Sequence, residues 1–191
     1  MFSYCINNPV NAIDPMGEDA IWLQDKNNAV VGILGHTGLL IQDATGTWHY
    51  FNWSPYNCLF YKVDREKYDY TSIESLIKID GDRYDDAIYF KGDFSASVKY
   101  AETLKASFSG EDYHFLWNNC MQVSVDVLKK GKFSQSNACY QVFLRRIRTE
   151  LVPNIAYSRM LRFHNAVQSY HAASRWARWR YISPERAVWL F

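Results

Sequence analysis

Gly35-His36-Thr37-Gly38-Leu39-Leu40-Ile41-Gln42, Asp43-Ala44-Thr45-Gly46-Thr47 and Trp48-His49-Tyr50-Phe51-Asn52-Trp53 form the stretch on which the reading of this chain turns. Two runs of aliphatic and aromatic residues flank a short polar segment that contains a glycine, which is the pattern of a β-hairpin. Residues 29–34 form a short apolar run just before it, and residues 86–91, centred on Ala87-Ile88-Tyr89-Phe90, read as a further strand.

Helices follow. Asp93 is placed to cap a helix running to about Ser107, with Val98, Ala101 and Leu104 in helical rhythm and Gly110 beyond its end. Asn119 suits an N-cap, Lys129 and Lys130 a last turn and Gly131 the residue beyond it, so a second helix carries Cys120 in its first turn. After Phe133 the spacing predicts helices over residues 140–151 and 155–180, with Pro153 between them. Strands first and helices afterwards give an α+β chain, a small antiparallel sheet packed on the Cys120 helix with extra C-terminal helices.

The composition sets outer limits. The chain has 191 residues, of which 48% are hydrophobic, 17% aromatic and 21% charged, enough for one globular domain with its own core. Disorder, coiled coil and short-period repeats are excluded, and no apolar run is long enough to span a bilayer. The first twenty residues lack the basic start and apolar stretch of a secretory signal. The net charge of +1 hides an asymmetry. Residues 1–118 hold 17 acids and 9 bases, whereas residues 119–191 hold 3 acids and 12 bases. Such halves either attract one another or present the basic one to a polyanion.

Cys120 is the candidate nucleophile. A helix N-terminus favours the thiolate, and the first-turn N–H groups have no intrahelical partner, so they can receive an oxyanion. His36, at a strand start between glycines, is the candidate base. A third group should orient the imidazole. His49, at the offset that the family resemblance given below implies, is the expected one, and another hairpin register would bring Asn52 or Ser54 alongside instead. Asn119, beside the thiol, is a further oxyanion or orienting candidate.

Other residues read as structural. His114 fits a packed or surface position. His164 and His171 lack the acidic or thiol companions of a metal site. Cys58 and Cys139 lack an activating context, and Asp80, Asp82, Asp85 and Asp86 do not follow a calcium-loop register. The four cysteines (Cys5, Cys58, Cys120, Cys139) are expected to be reduced, with no metal and no organic cofactor. Trp176, Trp179 and Trp189 alternate with arginines in a basic tail that suits a lipid surface, a nucleic acid or docking on the acidic half.

Two resemblances add to this. Residues 4–17, with Asn7-Asn8-Pro9-Val10-Asn11-Ala12-Ile13-Asp14-Pro15-Met16-Gly17, resemble the end of the core region of RHS-repeat proteins, which precedes a variable toxin domain. The blocks around His36 and around Tyr113-His114-Phe115-Leu116-Trp117-Asn118-Asn119-Cys120 resemble the permuted papain-like cysteine hydrolases. That group includes NlpC-type peptidases and the lecithin:retinol acyltransferases, in which the strand histidine precedes the helix-start cysteine. Together they imply residues 1–18 as the end of an RHS core and residues 19–191 as a toxin domain, with a Cys-His core over 19–133 and a basic helical extension over 134–191. They also imply a parent RHS shell and secretion apparatus of the type VI kind, a cognate immunity protein, and delivery into a competing bacterial cell. The expected reaction is hydrolysis of an amide in protein or peptidoglycan. Lipid acyl transfer or phospholipid cleavage by the same residues is the first alternative, and a nucleic-acid-directed toxin using the basic helices is the second. A non-enzymatic binding or pore-forming domain is the third, and no specific nucleic-acid partner is expected.

Overall fold

The structure, a computed structural model, describes residues 18–27, 35–63 and 84–173, with side chains to residue 169. The leader at 1–17, the apolar run at 29–34, the acids Asp80 and Asp82, and the Trp-rich tail from residue 174 lie outside the described residues.

Five antiparallel strands form the main sheet in the order β4-β3-β2-β1-β5: β1 Ala20–Asp25, β2 His36–Gln42, β3 Trp48–Trp53, β4 Cys58–Lys62 and β5 Asp86–Phe90. The β2–β3 hairpin is the one expected from its sequence, and Gly46 (φ +78°) takes the left-handed position in its turn. Two short strands, β6 Gly92–Asp93 and β7 Lys132–Phe133, pair beside it.

Four helices complete the described residues: α1 Ser95–Ser107, α2 Cys120–Leu128, α3 Asn137–Ile147 and α4 Pro153–Ala173. Asp93 accepts from the Ser95 N–H (3.2 Å) and hydroxyl (2.7 Å), but the helix begins one residue later than an Asp93 cap requires, with Phe94 at the N-cap. Helix α3 starts three residues earlier than its apolar rhythm indicates and stops at Ile147, where the backbone turns toward Pro153.

Strand alternation gives the sheet two apolar faces. Trp22, Leu39, Ile41, Phe51, Trp53 and Ile88 face the helices and join Met121, Val123, Val125, Phe143 and Phe163 in the main core. Ile21, Leu23, Leu40, Trp48, Tyr50 and Tyr84 form a second cluster on the other side. Helix α2 is buried almost all round, as expected of a helix enclosed between a sheet and other helices. Its only charged residue, Asp126, is held by Arg148 Nε (2.8 and 2.9 Å) and Lys129 Nζ (3.2 Å). The molecule is therefore mixed α+β.

Candidate active site

Cys120 is the first residue of α2 and is 3% exposed. Asn119 caps the helix: its Oδ1 accepts from the Gln122 N–H (3.0 Å), while Gln122 Oε1 accepts from the Asn119 N–H (3.2 Å). Asn119 Nδ2 donates to the carbonyls of Phe115 (3.0 Å) and Leu151 (3.4 Å). Its amide is thus committed to building the helix end. The loop ahead of it is pinned to the sheet by Trp53 Nε1, which donates to the Asn118 carbonyl (3.0 Å).

Tyr113 was not singled out by the sequence. Its phenol accepts a hydrogen bond from the Cys120 backbone N–H and is half-buried beside the thiol. Burial first, and then the charge of Cys120, push its hydroxyl up to about 12, against the lowering effect of that hydrogen bond. A neutral O–H therefore lies where a first-turn amide would meet an oxyanion. Only the tyrosine's place a few residues before the cysteine could have drawn attention to it.

His36 opens β2 and is buried. Its Nε2 lies 2.9 Å from Asn52 Oδ1. Asn52 Nδ2 donates to the Tyr50 hydroxyl (3.0 Å), which is 2.6 Å from the Tyr84 hydroxyl. This network fixes the tautomer: with an amide oxygen accepting, the ring proton sits on Nε2 and the basic lone pair is on Nδ1.

Register explains why Asn52 and not His49 takes this place. Asn52 pairs with Gly38, two residues from His36 on the same face, whereas His49 pairs with Ile41 and faces the helices. The His49 ring instead bonds Asp43 Oδ2 (2.8 Å) and stacks on Phe60 (5.1 Å between centroids, 6° between planes). The geometry therefore corrects the expectation that His49 orients His36. Ser54 is engaged in its own turn with Asn57.

The strand start and the cysteine helix are adjacent. Thr37, next to His36, faces α2 and donates to Ser124 Oγ (3.3 Å), one turn along from Cys120. Gln24, paired with Thr37 on β1, donates to Asn154 Oδ1 (2.8 Å) in the first turn of α4. Gly35 closes this end with φ +68°, and a Cβ there would collide with the Asn154 side chain and with Gln24 Nε2.

The remaining candidates have structural surroundings. His114 stacks on Trp117 (3.2 Å between centroids) at a local bridge with Asn118. His164 lies 2.7 Å from the Tyr140 hydroxyl, and burial lowers its ring to about 4, so it stays neutral at pH 7. Burial raises the Cys58 thiol to about 11, which makes it a poor nucleophile. Cys58, Cys120 and Cys139 are free thiols. Among the described residues no three His, Cys, Asp or Glu side chains gather as a metal site, and no helix is long and apolar enough to cross a membrane. No family model, curated protein or solved structure matches the chain.

Proposed function

We propose that the chain is a cysteine hydrolase of acyl bonds, with a permuted papain-like arrangement, acting as the toxin domain of an RHS-type carrier. The observation that carries this reading is a thiol at a capped helix N-terminus beside the strand start that bears His36, whose Nε2 is held by Asn52.

Cys120 gives its proton to His36 Nδ1, and the thiolate attacks the acyl carbon. The tetrahedral oxyanion accepts from the Tyr113 hydroxyl, whose oxygen is held by the Cys120 N–H at the helix start. His36 returns the proton to the leaving amine as the C–N bond breaks. Water, deprotonated by the same ring, then releases the acid and restores the thiol. Asn52 is the positioning residue. Alternation along β2 turns Thr37 toward α2 and His36 to the opposite side, so the reading requires the imidazole and thiol to meet at the Gly35 end of the strand. An amide in protein or peptidoglycan is the substrate class. A lipid acyl group is the second reading, favoured by the apolar residues exposed around the same helix end.

The test pairs growth inhibition of bacteria producing the chain with labelling by an acyl-directed electrophilic probe. Cys120→Ala should abolish both, and His36→Ala should slow labelling by about 10³-fold or more. Full toxicity in both variants would overturn the mechanism.

A further inference from the structure

The end of the molecule that holds Cys120 also exposes an apolar rim. Phe115, Leu116 and Trp117 are 44%, 46% and 60% exposed in consecutive positions, and Leu151 and Ile155 are 48% and 45% exposed. Asn119 joins the two parts through its bonds to the Phe115 and Leu151 carbonyls. Tyr56, almost wholly exposed, stands in the turn after Trp53 at the same sheet end. Three exposed apolar residues in a row are unusual in a soluble loop and mark a contact surface.

Charge selects the occupant. Residues 119–169 carry eight Lys or Arg against Asp126 and Glu150. Arg145 and Arg146, exposed in the last turn of α3, flank the loop, because Gln122 Nε2 bonds both the Leu116 and the Arg148 carbonyls (3.3 Å each). Two acids border the loop on its other side: Glu111 and Asp112 precede it, with Asn118 Nδ2 on the Asp112 carbonyl (2.5 Å) and the Asp112 carboxylate taken by the Ser109 N–H (2.6 Å), while Asp85 and Asp86 hold Asn27 and Lys26 on the β5 flank. The segment 174–191 has four arginines and one glutamate, the same sign as the surface beside the rim, so charge opposes its lying there. Half-exposed side chains of this number also fall short of the roughly 800 Å² per partner of a stable protein complex. A bilayer needs no such area, since a few inserted aromatic and aliphatic side chains beside cations suffice.

We propose that this rim docks on an anionic lipid bilayer, with the Phe115-Leu116-Trp117 loop inserted and Arg145 and Arg146 on the headgroups. The proposal deepens the acyl-transfer reading by placing the thiol's helix end at a membrane surface, yet binding does not require the thiol. The two can therefore fail separately.

Sedimentation of the full chain as Cys120→Ala with phosphatidylcholine vesicles, with and without phosphatidylglycerol, tests it. Binding is expected only with phosphatidylglycerol and should weaken as salt rises. The triple variant Phe115→Ser, Leu116→Ser, Trp117→Ser should bind at least about tenfold more weakly, with its thermal midpoint retained. Arg145→Glu with Arg146→Glu, which leaves the loop intact, should lose affinity to a similar degree. No binding by the parent, undiminished binding by both variants, or loss only when residues 174–191 are removed would overturn the proposal.

Discussion

The two ends of the β2–β3 ribbon each hold a histidine, and the two are used in opposite ways. At the turn end, His49 bonds Asp43 six residues away, while Thr45 and Thr47 bond the same carboxylate through backbone and hydroxyl groups. That clamp closes on itself within one hairpin. At the open end, His36 reaches Asn52 on the neighbouring strand and, through Tyr50, Tyr84 from beyond the sheet's fourth strand. The strand ends beside it are met by residues from α2 and α4. A histidine satisfied within its own hairpin depends on local chain alone, whereas one held by distant segments takes its position from the whole fold. Rise per residue separates the two levels, His36 and Ile41, by about 17 Å along β2.

The sharpest way to break this contrast is to remove each ring's partner. Asn52→Ala should lower probe labelling of Cys120 by about 10²- to 10⁴-fold, because the His36 tautomer and ring angle are released. His49→Gln should leave labelling within about twofold and lower the thermal midpoint instead. Equal effects on labelling would merge the two histidines into one role.

Next in size is the open end itself. Gly35→Ala forces a side chain into left-handed backbone and against Asn154, so unfolding free energy should fall by about 2 kcal/mol or more in urea titration. A neutral result would mean that α4 yields easily there, and the open end would be less firmly built than described.

The smallest effect belongs to the turn. Burial alone would raise the Asp43 carboxyl, but hydrogen bonds from His49, Thr45 and the backbone of Thr47 and Thr45 outweigh it and hold it far below the ordinary carboxylate range. A depressed carboxylate stabilises the fold above its unfolded pKa, near 4, and this is lost as pH falls toward the folded value. Asp43→Asn should therefore lower the thermal midpoint at pH 7, and the gap from the parent should narrow steadily below about pH 4. A gap independent of pH would assign the clamp to shape rather than charge.

Much of this was legible before any coordinates. The hairpin, the strand at residues 86–90 and the Asn119 cap each follow from short-range chemistry: a Gly-containing turn, β-branched and aromatic runs, and an amide able to take a first-turn N–H. Register was not legible, since His49 and Asn52 differ by an odd number of positions and only the pairing of strands says which shares a face with His36. Tyr113 and the Gln24–Asn154 contact escaped for a related reason. A phenol at a helix end, or an amide bond across 130 residues, leaves no periodic trace in the sequence.

Fastening the tip of α2 draws on Trp53, 65 residues before its Asn118 partner, and on Leu151, 32 residues after Asn119. A chain still emerging from the ribosome lacks the later fastening until residue 151 has cleared the exit tunnel. The tip of α2 is thus set only once the helices that follow it have been made.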